Sequence, residues 1–212
     1  MGIDYNEKKD VFEFNFTSNS EECIIEFVDL PLEPIVLDDI EGMSNVYYFG
    51  YEFLNNDYAS SKIRTKFLHE LRFNDNFTTQ DNKELFIKTA LSKLKKSLNI
   101  TINDIDIIVY PRSRSSLNEY ILRLFYAITN SKAKSFEVIK ELYSYFSNYF
   151  YFDSSEMQQH LIEIQNNKNK ILILDDVSTT GATLKEIIKI VRFFNKTSDI
   201  ILFTLIGKKS II

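Results

Sequence analysis

The strongest constraint on the fold is the segment from Ile171 to Thr183, where four apolar residues precede two acids and a loop of small residues. An apolar run such as Ile171 to Leu174 is typical of a strand buried on both faces of a parallel sheet. Open α/β sheets bind ligands at the carboxyl ends of their strands, so Asp175 and Asp176 are predicted at a ligand-binding edge. The segment therefore predicts an α/β protein with a doubly wound parallel sheet.

The loop after the two acids has the composition of a phosphate-binding turn. Hydroxyl side chains add hydrogen-bond donors, Gly181 allows close approach of the main chain, and the following helix begins with unpaired backbone N–H groups. That helix is predicted from its apolar face, which runs from Leu184 to Phe194. The alternative to a phosphate-binding turn is an ordinary helix N-terminus that follows two acids. An ordinary N-terminus does not, however, require this combination of acids, hydroxyl residues and glycine. The predicted ligand-binding residues are Ser178, Thr179, Thr180, Gly181, Ala182 and Thr183.

A second apolar run, Ile105 to Tyr110, also ends in a hydroxyl-rich loop before an amphipathic helix. Arg112 and Arg114 add guanidinium groups, which bind oxyanions through several hydrogen bonds. Alone, the segment also fits an ordinary strand–helix turn with surface arginines. Its position one crossover unit upstream of the first motif favours a second anion site, formed by Arg112, Ser113, Arg114, Ser115 and Ser116.

Together the two motifs resemble the signature of the type I phosphoribosyltransferases, in which an apolar strand, two acids and a Thr-Thr-Gly-x-Thr loop bind 5-phosphoribosyl-1-pyrophosphate (PRPP). The resemblance implies that Asp175 and Asp176 hold the ribose hydroxyls and contact Mg²⁺, directly or indirectly. It implies that residues 178–183 wrap the 5-phosphate. Pyrophosphate would lie on the other loop, with Arg112 and Arg114 joining the two acids as catalytic residues. The implied activity is phosphoribosyl transfer to an unidentified acceptor, with release of pyrophosphate.

Two departures from this family pattern bear on activity. Members usually carry a basic residue on a mobile loop, yet no lysine or arginine lies between Glu141 and Gln165. Thr179 stands where members acting on 6-oxopurines have an aspartate, so hypoxanthine and guanine are not expected acceptors. The second interpretation is therefore a non-catalytic protein that senses PRPP or a nucleotide and acts through a protein partner.

The segments Tyr47–Tyr51 and His69–Phe73 resemble those of the ComF-type, amidophosphoribosyltransferase-like proteins, and the tyrosines are expected to stack against the acceptor. The N-terminal zinc module of many such proteins is absent. Cys23 is the only cysteine, so neither an intrachain disulfide nor a thiolate zinc cluster is expected. We expect a small, partly β N-terminal hood at 1–75 and the phosphoribosyltransferase-like α/β core at 76–212.

Periodicity predicts the remaining elements. We expect a hairpin formed by 11–16 and 23–28 with its turn at 18–20, helices at 59–72 and 81–98, and strands at 136–139, 149–152 and 200–206. Within the aromatic stretch from Tyr143 to Phe152, the spacing of Leu142, Phe146, Tyr149 and Phe152 fits one helical stripe, which favours core packing or a subunit interface over a base-stacking platform. An oligomer or a heteromeric protein partner is accordingly expected under both functional interpretations.

Charge and hydropathy exclude other classes. The net charge is −5, and the lysines of the 81–98 helix are interleaved with no arginine and with only one aromatic residue, Phe86, so a nucleic-acid partner is not expected. The sequence has neither an 18-residue apolar run nor a signal-peptide pattern. A cytoplasmic protein without membrane association is expected.

Overall fold

The computed structural model of the chain describes residues 2–6, 11–18, 21–28, 35–37, 45–53, 58–73, 80–98, 102–113, 115–144, 147–152, 155–164 and 170–208. The strands within these ranges are β1 (Gly2–Asn6), β2 (Val11–Ser18), β3 (Glu21–Val28), β4 (Ile35–Leu37), β5 (Asn45–Phe53), β6 (Ile105–Pro111), β7 (Lys134–Ser144), β8 (Ser147–Phe152), β9 (Lys170–Val177) and β10 (Asp199–Ile206). The α-helices are α1 (Tyr58–Phe73), α2 (Gln80–Leu98), α3 (Leu117–Thr129), α4 (Ser155–Ile164) and α5 (Ala182–Phe194).

Five parallel strands form the centre of one sheet, in the order β5-β10-β9-β6-β7. Strand β8 adds antiparallel to β7 at one edge. At the other edge β3 and β4 pair antiparallel with β5, and β2 and β1 follow β3. The predicted α/β class with a parallel sheet is confirmed.

The chain reverses its direction of winding between β6 and β9. From β6 it proceeds outward to β7, and then returns to β9 on the opposite side of β6. Helices α2 and α3 pack on one face of the sheet, while α4 and α5 pack on the other. The sheet is therefore doubly wound, and the carboxyl ends of β6 and β9 form its topological switch point, where such sheets bind ligands.

Strand β9 shows why the apolar run predicts a central position. Its side chains alternate between the two faces: Leu172 and Leu174 pack beneath α2 and α3, whereas Ile171 and Ile173 pack beneath α5. All four are fully buried. A strand covered on both faces needs apolar residues at every position, which is what the sequence supplies.

Two parts of the architecture differ from the expectation. Residues 45–53, expected in the N-terminal hood, form β5, which is hydrogen-bonded as a parallel strand next to β10. The helical stripe expected from Leu142 to Phe152 is wrong, because this stretch contains the end of β7 and all of β8, paired antiparallel. The separate expectation of a strand at 149–152 is confirmed.

The N-terminal hairpin is confirmed, with Ser18 opposite Glu21 across the turn. The boundary at residue 75 and the placement of a hood over the ligand edge stay predictions. Among the described residues, no helix is both long enough and apolar enough to cross a membrane.

Candidate ligand site at the switch point

The two acids lie at the carboxyl end of β9, inside the strand rather than after it. Asp175 and Asp176 are only 6% and 3% exposed. Asp175 lies opposite Thr204 of β10, and Val177 lies opposite Ile206. Buried carboxylates are found where they are paired or hydrogen-bonded, so the partners of these two acids define the site.

Asp176 is held by Arg72, which lies in the last turn of α1. The Nε of Arg72 donates to Oδ2 at 2.7 Å and its second terminal nitrogen donates to Oδ1 at 2.8 Å. This is the bidentate arrangement for which a planar guanidinium is suited. Arg72 remains 33% exposed at its side chain, so it reaches the buried acid from the surface of the protein.

Asp175 is bonded differently. Its Oδ1 accepts a hydrogen bond from the backbone N–H of Asp176 at 2.8 Å and another from the Nδ2 of Asn118 at 3.3 Å. Asn118 lies in the first turn of α3 and also donates to the carbonyl oxygen of Pro111, at 2.9 Å. Because Pro111 ends β6, this buried amide connects the two strand–loop–helix units across the switch point.

The environment of Asp175 favours its neutral form. The pKa of Asp175 is raised to about 8, chiefly by burial and then by the negative charge of Asp176, against lowering contributions from the hydrogen bonds and Arg72. Asp176 lies beside the Arg72 guanidinium, so the two neighbouring acids have different electrostatic environments. Such differentiation is common where carboxyl groups serve in binding or catalysis.

The loop 178–183 is attached to the sheet at its start and is accessible further along. The backbone N–H of Ser178 donates to the carbonyl oxygen of Ile206 at 2.9 Å, which fixes the start of the loop against β10. Thr179 and Thr180 are exposed, and Gly181 adopts a left-handed conformation with φ 70° immediately before α5. No side chain caps α5, although Thr180 Oγ1 lies 3.4 Å from the N–H of Ala182. The N–H groups of the first turn therefore face a polar, accessible loop.

The loop after β6 is only partly arranged as expected. Its serines turn toward each other: the hydroxyls of Ser113 and Ser115 are 3.0 Å apart, and the N–H of Ser115 donates to Ser113 Oγ. Ser116 precedes α3 without a side-chain cap. The side chain of Arg112 pairs with Glu137 of β7 at 2.6 Å. Arg114 lies outside the described residues.

The tyrosines of β5 do not form the expected stacking surface. Tyr47 and Tyr51 are fully buried and Tyr48 is nearly so. Tyr51 stacks on Phe86 of α2 with ring centroids 4.1 Å apart, and the Tyr47 hydroxyl lies 2.7 Å from Thr204 Oγ1. Burial also raises the pKa of Tyr47. These side chains support the sheet next to the acids, so an acceptor cannot stack on them without their leaving the core.

Two side chains of the site, Arg72 and Asn118, are not among the residues that the sequence predicts for it. Arg72 lies 104 residues from Asp176 and Asn118 lies 57 residues from Asp175. The position of Arg72 in the last turn of an amphipathic helix gives no indication of the strand it reaches. Asn118 could have been suspected, because an amide in the first turn of a helix that faces the core needs buried partners.

The fit of a divalent cation can be judged from the oxygens present. Both oxygens of Asp176 accept from Arg72, and Oδ1 of Asp175 accepts two hydrogen bonds. Within the described ranges, no group of three or more His, Cys, Asp or Glu side chains could hold a metal ion. Mg²⁺ is usually held by one or two carboxylates together with waters and phosphate oxygens, and here both oxygens of Asp176 are already engaged by Arg72.

Comparisons with known proteins give limited similarity. No family model matches the chain, and no curated protein matches it in sequence. A solved hypoxanthine phosphoribosyltransferase from Staphylococcus aureus is 17% identical over 59% of this chain and 62% of that chain, with a TM-score of 0.41. The chain thus covers less than two thirds of the length of that protein.

Two further solved structures are similar to the same degree. A xanthine-guanine-hypoxanthine phosphoribosyltransferase from Helicobacter pylori is 12% identical over 60% of this chain and 73% of that chain, with a TM-score of 0.43. A hypothetical protein from Neisseria gonorrhoeae with bound ppGpp is 14% identical over 61% and 69% of the two chains, also with a TM-score of 0.43. Similarities of this size do not assign an activity, which has to be argued from the site itself.

Proposed function

We propose that the chain binds PRPP or a closely related phosphorylated ribose at the switch point and transfers its phosphoribosyl group to an acceptor. The observation that carries this proposal is the succession at the end of β9: two buried acids, a hydroxyl loop with a left-handed Gly181, and an uncapped helix N-terminus. Carboxylates repel phosphate, so acids next to a phosphate loop require a ligand that also offers hydroxyl groups. A phosphorylated ribose has both.

The roles follow from the chemistry of each group. Asp175 and Asp176 would accept hydrogen bonds from the ribose hydroxyls, and residues 178–183 would surround the 5-phosphate with N–H and hydroxyl donors. Pyrophosphate would lie on the loop after β6, near Ser113 and Ser115. For that contact Arg112 has to exchange its exposed pairing with Glu137 for the ligand, an exchange that costs little because surface ion pairs contribute about 0–1 kcal/mol.

The reaction that such an arrangement would promote is a substitution at the ribose C1 atom. The bond between C1 and the pyrophosphate oxygen breaks, and its electron pair leaves with the pyrophosphate. The acceptor's lone pair forms the new bond at C1, and the acceptor loses its proton. The protein's contribution is to hold the ribose and to stabilise charge on the departing group. A Mg²⁺ ion bound to the pyrophosphate would supply further charge neutralisation.

A direct test is calorimetric titration with PRPP. We expect binding by the wild-type protein and at least tenfold weaker binding by Asp175→Asn, which keeps the side-chain volume. The matched control is Asp199→Asn, at the opposite end of the neighbouring strand β10, which we expect to bind as the wild type does. Equal affinity in Asp175→Asn and wild type would contradict the proposed site.

Turnover is tested separately, by pyrophosphate release with a panel of nucleobase, amine and nucleotide acceptors. We expect release that depends on the acceptor and is reduced by Arg112→Gln. If PRPP binds and no acceptor gives release, the transferase proposal is wrong while the binding proposal stands.

A non-catalytic sensor is the second candidate, and one observation favours it. The stretch that would carry the family's mobile basic loop contains no lysine or arginine between Glu141 and Gln165, and its residues 141–144 and 147–152 belong to paired strands. A hydrogen-bonded β7–β8 pair is less suited to closing over a ligand than an unpaired loop. Tight PRPP binding without release, together with a ligand-dependent change in the mass of the assembly, would support a sensor. The narrower likeness to ComF-type proteins stays a prediction under both candidates.

A further inference from the structure

Arg72 neutralises the acid that is expected to bind the ligand. It donates one hydrogen bond to each oxygen of Asp176, at 2.7 Å and 2.8 Å, and Asp176 is buried. A carboxylate has about four lone-pair sites, and a bidentate guanidinium occupies two of them. The remaining lone pairs can still accept a hydrogen bond from a neutral donor.

A bare divalent cation is repelled at the same carboxylate. It would have to approach an Asp176 oxygen whose negative charge is already balanced, and it would come close to the positively charged guanidinium of Arg72. Like charges at such separations repel, and burial of Asp176 strengthens the repulsion because it lowers the effective dielectric constant. Arg72 cannot relieve this repulsion by losing its proton, because guanidinium groups stay charged in proteins.

Asp175 offers a cation only part of its carboxyl group. Its Oδ1 already accepts hydrogen bonds from Asn118 and from the N–H of Asp176, so two of its about four lone-pair sites are occupied. Within the described residues no third acid joins the pair. A cation without an accompanying phosphate ligand would therefore meet two carboxyl groups that are already engaged. Arg72 balances the charge of Asp176, and Asp175 accepts two hydrogen bonds.

We infer that Arg72 makes the acid pair selective, so that Asp176 accepts hydroxyl groups of a diol and does not coordinate a divalent cation directly. Any Mg²⁺ in the reaction then arrives on the phosphate groups of the ligand. This inference deepens the proposed function and rests on it for the identity of the diol. Arg72 is accordingly a specificity-determining residue that acts through Asp176.

The test uses Mn²⁺ alone as the probe, with binding measured from the electron paramagnetic resonance signal of the free ion. We expect no site-specific Mn²⁺ binding in the wild-type protein. Arg72→Gln removes the positive charge but keeps a hydrogen-bonding side chain, and we expect it to bind Mn²⁺ at least tenfold more tightly. Adding Asp176→Asn to that variant should abolish the gained site. Arg72→Lys, which keeps the charge, should behave as the wild type does.

Arg123→Gln is the matched control, because it removes an exposed arginine of α3 whose guanidinium lies over the ring of Tyr120. We expect no change in Mn²⁺ binding there. Should Arg72→Gln not fold, comparison of the wild type with Asp176→Asn still decides the matter: a Mn²⁺ site in the wild type that Asp176→Asn removes would overturn the inference. If neither the wild type nor Asp176→Asn binds Mn²⁺, the inference is supported.

Failure of this inference can be told apart from failure of the proposed function. Titration with ribose 5-phosphate in the absence of metal reports on the diol and phosphate site. If ribose 5-phosphate binds while Mn²⁺ also binds at Asp176 of the wild type, the selectivity is wrong and the proposed site stands. If ribose 5-phosphate does not bind and Mn²⁺ is excluded until Arg72 is replaced, the proposed ligand is wrong and the exclusion by Arg72 stands.

Discussion

Asn118 donates a hydrogen bond to Asp175 across the switch point, with 3.3 Å between its Nδ2 and the carboxyl oxygen Oδ1. The same Nδ2 donates to the carbonyl oxygen of Pro111 at the end of β6. One amide therefore fixes the first turn of α3, the end of β6 and the acid of β9 relative to one another. Among the described residues its buried Oδ1 has no hydrogen-bond partner, and under the proposed function a hydroxyl donor from a bound ribose would satisfy it.

We expect Asn118→Ala to reduce the free energy of unfolding by about 1–3 kcal/mol, because it leaves the carbonyl oxygen of Pro111 without this donor in a buried position. Chemical denaturation measures the loss. Asn103→Ala, at an exposed position before β6, is the control and should change stability by no more than about 0.5 kcal/mol. A loss at Asn118 as small as at Asn103 would contradict the bridging role.

The protonation of Asp175 should make stability depend on pH in an unusual direction. Its pKa is raised from 3.8 to about 8 in the folded protein, chiefly by burial, so the folded state binds more protons than the unfolded state between these values. By linkage, the contribution of Asp175 to stability is complete below its unfolded pKa and is lost as the pH rises through about 8.

The measurement is the difference in unfolding free energy between wild type and Asp175→Asn across that range of pH, which cancels the titration of the other carboxyl groups. We expect the wild type to lose stability relative to the variant as the pH increases from about 4 to about 8. A difference that stays constant would show that Asp175 remains ionised, as an ordinary aspartate does.

The parts of the site that are local in sequence could be predicted, and those that depend on packing could not. The run Ile171 to Leu174 indicates a central strand because each face of a covered strand needs apolar residues. The loop 178–183 is likewise identified by its own residues. The pairing of Arg72 with Asp176 depends on where α1 ends relative to β9, and no pattern within either segment contains that information.

The two errors of the expected fold have similar causes. The stretch from Leu142 to Phe152 has apolar and aromatic side chains at nearly every position, so it satisfies a helical and an extended period equally well, and the antiparallel pairing with β7 decides between them. The run 45–53 can be recognised as apolar from the sequence, but its place in the sheet depends on pairing with β10, a strand about 150 residues later. Strand order of this kind is a property of the whole chain.

The left-handed turn before α5 should depend on glycine. With φ at 70°, a side chain at position 181 would bring its Cβ too close to the following carbonyl oxygen. We expect Gly181→Ala to cost roughly 1–2 kcal/mol of stability and to weaken phosphate binding by distorting the loop. Gly181→Asn is the matched variant, because asparagine tolerates this conformation; it should retain more stability and more ligand affinity than alanine in denaturation and titration experiments. Equal effects of the two substitutions would argue against a conformational role.

Gly207, directly after β10, is required for a different reason, namely close packing. A Cβ at this position would lie 2.0 Å from the hydroxyl oxygen of Tyr47 and 2.8 Å from Thr204 Oγ1. Because these side chains are buried in the sheet beside the acids, we expect Gly207→Ala to reduce the free energy of unfolding by about 1–3 kcal/mol.

Removing the Tyr47 hydroxyl should relieve the nearest clash at Gly207. Tyr47→Phe alone loses its hydrogen bond with Thr204, which contributes about 0.5–1.5 kcal/mol. The double variant should lose less stability than the sum of the losses in the two single variants, since the methyl group of alanine no longer meets the hydroxyl. Relief should be partial, because the Cβ of Phe49 also lies 2.8 Å from the added carbon. The measurement is a double-mutant cycle by chemical denaturation. Strictly additive losses would show that the backbone at Gly207 moves away from Tyr47, so that the hydroxyl does not cause the loss of stability in Gly207→Ala.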